Sequence, residues 1–348
     1  MKEKKLYLDI LRIIAISMVF NLHFTVALEQ QYGVFFGFAN GNWGNVGTSL
    51  FFLISGNCLA RNYGEKLEIG KFYKKRWLAI FPMFYVSYLL VLFGHMVILQ
   101  NNVLAGVEPW KFIYTLIGID MYMVFKGVRT AALVGEWYTA IIVGIYLLFP
   151  LLQFLYRKCK IPTTIILLAL YVVNLIFGKG EIPADAHIIT GVFIFWIGMF
   201  IYRFEKQLEK MPWFVWGLLI VCSCILLFVP LPGHDLVYKN LLAILIFLVL
   251  MRVGIYLKKD IKVLRFLCKI EYAIYLCHHT VLLVLLTFYV KVFGQVEPIS
   301  YYVSSVAITI VFAIVITYLT NWIVKGISKI GSKKTKKKTK IKKRVKNS

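Results

Sequence analysis

Acidic side chains are scarce in this chain. Its 348 residues hold 16 Asp and Glu against 40 Lys and Arg, a formal charge of +24, and residues charged with either sign make up only 16%. So few charges cannot cover a water-soluble globule in which 60% of residues are hydrophobic and the mean hydropathy is +0.76. A soluble protein is excluded, and a chain that hides its apolar surface in lipid remains. Cysteine is sparse too. Cys58, Cys159, Cys222, Cys224, Cys268 and Cys277 all fall in apolar runs or in loops assigned below to the cytoplasm, so free thiols are expected. Cys222 and Cys224 form a C-x-C on a helix and read as small buried residues, not metal ligands. The first apolar run, Leu6 to about Leu28, lacks a small-residue cleavage site behind a short core, so it reads as a retained helix. No internal repeat is visible, which counts against the inverted-repeat carriers. The basic tail KKTKKKTKIKKRVKNS has no aromatic residues to stack on bases, so no nucleic-acid partner is expected.

Ten apolar runs are present, near 6–28, 46–60, 77–99, 134–156, 161–178, 187–203, 212–230, 238–257, 268–292 and 300–326. Basic residues supply a second test. With the N-terminus inside, 33 Lys and Arg fall in cytoplasmic segments and 6 in outer ones, leaving Arg12 within the first run. That bias predicts an all-α integral membrane protein with about ten transmembrane helices and both termini cytoplasmic. Residues 100–133 form the longest outer segment. Its stretch FIYTLIGIDMYMVF is short for a span and contains Asp120, so an interfacial or re-entrant element is expected there.

Ionisable groups inside apolar runs cost at least ~2.5 kcal/mol each, so they usually face a cavity or a partner. In RIIAISMVFNLHF, Arg12 and His23 are eleven residues apart, which is three turns plus about 20°. They share a helix face, about 16 Å apart along the axis, and Asp9 lies one turn before Arg12 on that face. Arg12 also reads as a snorkelling anchor, and His23 as a packing residue. In KIEYAIYLCHH, Glu271, Tyr275 and His278 share a face. His278 then lies near mid-membrane, either functional or a core histidine, whereas His279 points about 100° away and reads as structural. Ser55 and Gly56 permit close helix approach. Glu136, Trp137 and Tyr138 open the fourth run at the outer interface, where an aromatic belt is the default reading.

In sequence order, LDILRIIAISMVFNLHF, FFLISGNCLA, FYKKRWLAIFP, WYTAIIVGIYLL and IYLCHH resemble the acyltransferase-3 family of integral membrane acyltransferases. The resemblance covers residues 6–280. It implies an acyltransferase that moves groups other than amino-acyl groups. The donor would be a cytoplasmic acyl-CoA, most commonly acetyl-CoA, and the acceptor a hydroxyl on a cell-surface polysaccharide, a sugar or a lipid-linked sugar. It also implies a multi-pass location in a bacterial cell membrane among membrane lipids. On this reading residues 1–330 are the transmembrane acyltransferase domain and 331–348 a disordered lysine-rich cytoplasmic tail. By position, His23 corresponds to the family's catalytic histidine, Arg12 to its essential partner, and Arg76 to an arginine at the mouth of the third helix. Ala79 stands where many members carry a second arginine. Ile142 stands where polysaccharide-modifying members often carry a glutamate.

Acyl transfer to a hydroxyl needs a base, a stabilised oxyanion and a held thioester. Imidazole suits the first task, so His23 is assigned as general base. Arg12 stays protonated, so it is assigned to donor orientation or charge stabilisation, with Asp9 fixing its fork. His278 is assigned to positioning the acceptor or the carbonyl. Lys75 and Arg76, with Lys74, make a basic mouth for coenzyme A phosphates. Glu136, Trp137, Glu271 and Tyr275 complete the expected substrate-binding set, and no metal is expected. Arg12 and His23 are expected to line a single wet passage through the bilayer. The rival reading is a transporter of an envelope sugar intermediate or acyl group.

Overall fold

The computed structural model describes residues 5–28, 41, 43–134, 136–178, 180–229, 233–257 and 261–345, without the side chains of 136, 255 and 328–345. Ten long helices correspond to the ten apolar runs. They are α1 (Leu6–Ala27), α2 (Trp43–Tyr63), α3 (Ile69–Phe93), α6 (Glu136–Lys158), α7 (Lys160–Phe177), α8 (Ile188–Glu209), α9 (Trp213–Phe228), α10 (Asp235–Tyr256), α11 (Lys262–Phe293) and α12 (Pro298–Val345). Eight of them are long and apolar enough to cross a membrane. α9, at 16 residues, is short, and α2 has no 18-residue stretch as apolar as those of the eight. No strand occurs among the described residues. The chain is therefore an all-α multi-pass membrane protein.

α2 can afford polar residues because it is not a lipid-facing helix. It packs against α1, α8 and α10, and most of its side chains are buried. Glycine permits that closeness: a Cβ at Gly56 would collide with the Phe195 carbonyl oxygen, and one at Gly198 with that of Leu53. Polar ties then fix the packed helices. Arg61 on α2 donates to Glu205 on α8 at 2.8 Å and to the Tyr7 hydroxyl of α1 at 3.1 Å. Ser49 donates to Asn240 on α10 at 2.7 Å, and Asn240 donates to the Tyr171 hydroxyl of α7 at 2.9 Å. Large apolar side chains on the outside, such as Leu168, Phe177, Phe228 and Trp322, are exposed as lipid-facing residues should be.

α1 and α11 lie side by side and run the same way. Residues pair in ascending order, from Asp9 with Cys268 through Arg12 with Glu271 to His23 with His278. α11 stops at Gly294, whose left-handed φ of 68° releases the chain. α12 begins at Pro298, where the Glu297 carboxylate accepts the backbone N–H groups of Ile299 and Ser300 at 3.1 and 2.6 Å. This last helix runs on to Val345, where the sequence predicts disorder from 331. Lysine is a good helix former, and no proline interrupts the tail.

The segment between α3 and α6 contains no span. A π-helical turn, Gly94–Ile98, extends α3, and two short helices follow, α4 (Phe112–Ile117) and α5 (Asp120–Phe125). Gly118, with φ 73°, breaks them apart. Tyrosines pin the segment to the bundle: Tyr85 donates to the Leu116 carbonyl at 2.6 Å, Tyr88 to Ala131 at 3.0 Å, and Tyr122 to Ala186 at 2.6 Å.

Gly56→Leu should drive α2 from α8 and destabilise the fold by about 1–3 kcal/mol, the usual cost of overpacking. Gly70→Leu, where an added Cβ meets nothing within 4 Å, is the control. Thermal denaturation in detergent should show a lowered midpoint for the first variant only.

Candidate functional site

Arg12 is held by three groups. Its guanidinium donates to Asp9 Oδ1 at 3.2 Å and to Cys58 Sγ at 3.4 Å, and its Nε lies 3.5 Å from Glu271 Oε1. These contacts bring α1, α2 and α11 to one point, and Asp9 is buried. The other Glu271 oxygen is buried and has no hydrogen-bond partner among the described residues. Arg12 and Glu271 line a cavity of ≈ 210 Å³ together with Cys58, Arg76, Tyr138 and Tyr275. The Arg76 guanidinium lies over the Phe72 and Tyr146 rings, at 5.9 and 5.5 Å. Ala79 and Ile142, the two departures from the family pattern, are wall residues of this same cavity. Its charge is thus set by Arg12, Arg76 and Glu271.

Eleven residues further along α1, His23 lines a second cavity of ≈ 770 Å³. His279 lines it as well, with its ring centroid 3.8 Å from that of His23. The His278 centroid is 5.0 Å from His23, but this ring is fully buried behind it. His278 Nδ1 lies 2.8 Å from the Tyr275 carbonyl and 3.2 Å from that of Ile274. Both are acceptors, so Nδ1 carries the proton and neutral His278 keeps its lone pair on Nε2. The sequence assigns the functional role to His278 and the structural one to His279. The structure places His279 in the cavity wall and His278 in the packed interior. α1 faces the groove between the two imidazoles, which a face count on α11 alone does not reveal.

The ring nitrogens of His23, His278 and His279 lie within 4.8 Å of one another, a spacing that could hold a metal ion. The segment between α3 and α6 closes over this cavity with Asn101, Asn102, Asp120 and Arg129, none of which the sequence places in a site. Asp120 is buried and accepts from Thr115 at 2.9 Å. Burial pushes its carboxyl up to about 6, against the lowering effect of that hydrogen bond. An acidic residue inside an otherwise apolar loop helix was the available signal.

The single passage expected from the sequence is not what the structure contains. Buried Ile16, Val19, Phe84, Tyr275 and Leu276 form a cluster between the Arg12 and His23 levels. Tyr275 lines the Arg12 cavity, and its ring centroid lies 6.1 Å from that of His278, which is buried behind His23. Lys75 is exposed and is not brought to either cavity. Trp137 packs against the main core instead. The side chain of Glu136 lies outside the described residues.

A family model of an acyltransferase domain matches residues 5–318, nearly the whole chain. No curated protein and no solved structure matches it.

With Asp120 titrating near 6 when folded and near 3.9 when unfolded, the folded state holds the extra proton between these values. Stability should therefore fall as pH rises from about 4 to about 6. Asp120→Asn should remove that part of the dependence, as read from denaturation midpoints of both proteins at pH 4, 5 and 7.

Proposed function

This chain belongs to the acyltransferase-3 family of membrane acyltransferases, and on that premise we propose that it transfers an acyl group from cytoplasmic acyl-CoA to a hydroxyl at the opposite face of the membrane. The acyl group is acetyl in the first instance, and the acceptor is a cell-surface glycan or a lipid-linked sugar. The excess of basic residues in alternate loops supports placing both termini and the Arg12 cavity on the cytoplasmic side of the membrane.

One observation carries the reading. A single helix offers a fixed guanidinium to one cavity and an imidazole to another, with the apolar cluster that holds Tyr275 between them. Arg12, tied by Asp9 and Glu271, holds and orients the donor, and the positive charges of Arg12 and Arg76 suit its phosphates. Tyr275 is the side chain whose rotation would admit the thioester to His23. The acceptor hydroxyl oxygen then attacks the thioester carbonyl carbon while His23 takes its proton. The tetrahedral intermediate collapses by breaking the C–S bond. The coenzyme A thiolate leaves, and the proton follows it to restore neutral His23.

Purified protein in nanodiscs, given labelled acetyl-CoA and an envelope extract as acceptor, tests this. His23→Ala should lower transfer by roughly 10²- to 10⁴-fold. Arg12→Lys, which keeps the charge and loses the fork, should lower it by about 10-fold or more. EDTA should leave wild-type transfer unchanged; loss on chelation would instead make His23 a metal ligand. Undiminished transfer by a well-folded His23→Ala protein would remove the imidazole from the chemistry. Label that crosses the bilayer without forming a new ester would favour a carrier.

A further inference from the structure

Three imidazoles meet where α1 faces α11. His23 comes from α1, and His278 and His279 are neighbours on α11. Their ring centroids lie 3.8, 4.7 and 5.0 Å apart with planes tilted by 54°, 45° and 52°, so the rings fan and do not stack. One ligand nitrogen of each ring lies within 4.8 Å of the other two. Nitrogens bound to one tetrahedral ion at about 2.0–2.1 Å sit about 3.3–3.4 Å apart, so closing the cluster takes at most about 1.5 Å of movement. His23 and His279 both line the cavity of ≈ 770 Å³, which gives an ion its way in. Spacing along the chain gives no hint of such a site, because the third ligand comes from another helix.

His278 supplies the fixed corner. Its Nδ1–H donates to the Tyr275 carbonyl at 2.8 Å, which leaves Nε2 as the nitrogen able to ligate. Metal-binding histidines are commonly held in this way, the second ring nitrogen donating to a backbone carbonyl that sets tautomer and orientation. The donor set is imidazole alone, with no thiolate and no carboxylate in the cluster. Imidazoles suit zinc and its transition-metal neighbours, whereas magnesium and calcium take oxygen ligands.

We propose that His23, His278 and His279 bind a zinc ion, and that the bound ion turns acyl transfer off. The regulatory half rests on the acyl-transfer reading; the binding half does not. Zn²⁺ enters through the His23 cavity and takes one lone pair from each imidazole, leaving its fourth position to water. A lone pair held by zinc cannot accept the proton of the acceptor hydroxyl, so the base is lost while the ion stays. Because the ligands come together only when α1 and α11 pack, the ion also stabilises the folded chain.

The test uses the full chain in nanodiscs, with Co²⁺ as the spectroscopic probe and Zn²⁺ as its competitor. Co²⁺ should bind once per chain and give the visible bands of a four- or five-coordinate ion. The near-ultraviolet band of a thiolate ligand should be missing, which separates this site from binding at cysteine. Zn²⁺ should displace the probe, and Mg²⁺ at about 100-fold excess should not. His279→Ala trims a ring exposed at the cavity and should weaken Co²⁺ binding by about 10-fold or more, and His23→Ala should do the same. Zn²⁺ should raise the denaturation midpoint of the wild type and not that of His279→Ala. With Zn²⁺ about 10-fold above its dissociation constant, labelled-acetyl transfer should fall by about 10-fold and return on adding EDTA. Cobalt bands unchanged in both variants, displacement by Mg²⁺, or zinc that leaves transfer unchanged or raises it would overturn the proposal. If transfer is absent with and without zinc but histidine-dependent cobalt bands persist, the acyl-transfer reading falls and the metal site stands. If transfer runs but no histidine-dependent cobalt binding is seen, the metal site falls and the acyl chemistry stands.

Discussion

An ionisable side chain at membrane depth must be answered by a neighbour, and here the answers come from one helix pair. Arg12 on α1 meets Glu271 on α11, and His23 meets His278 and His279 further along the same pair. Because α1 and α11 run parallel, each polar group of one helix finds its counterpart at the same level of the other. The rest of the bundle keeps this pair in register. α2 closes on α8 through Gly56 and Gly198, which brings Cys58 to Arg12, and the Arg61–Glu205–Tyr7 cluster ties α1 into the same packing. Removing any one partner would leave a charge in a low-dielectric interior, which costs more than the contact itself returns.

The layer between the two cavities gives the arrangement its character. An open passage would leak, since water and ions could follow it across the bilayer. A thick plug would keep a donor on one side from an acceptor on the other. A closed layer with the Tyr275 ring on its Arg12 side and the histidine cluster beyond it meets both demands if that ring turns. The polar loop over the second cavity has a related logic. Asp120 and Arg129 would be costly within a span, but on a segment pinned to the bundle by Tyr85, Tyr88 and Tyr122 they can reach the site without crossing the membrane.

Much of this was legible in the residues. The ten apolar runs became ten long helices, and the loop with Asp120 was recognised as too short and too polar to span. The stripe Asp9–Arg12–His23 was read correctly as one face, because a regular helix fixes angle and rise from sequence spacing alone. What could not be read was which part of a neighbouring helix that face would meet. The His278 and His279 assignments turned on the rotation of α11 about its own axis, which depends on packing against α1 and not on local pattern. The closed layer was hidden for the same reason, since Ile16 and Val19 look like ordinary lipid-facing residues until Phe84 and Tyr275 are placed against them. Lys75 suits a basic mouth by its charge, but it is exposed and lines neither cavity. Neither cavity wall at Ala79 and Ile142 nor the roof at Arg129 could be located before the helices were assembled.

The account turns on a donor that binds at Arg12 and reacts at His23, through a layer that opens at Tyr275. A structure of the protein with a non-hydrolysable acyl-CoA analogue tests that most directly. The account predicts the nucleotide end at the Arg12 cavity, the Tyr275 ring displaced, and the acyl carbonyl carbon within about 3.5 Å of the His23 ring, the reach of a near-attack geometry. An analogue whose acyl group remains on the Arg12 side of an unmoved Tyr275, or one that enters through the His23 cavity, would contradict it.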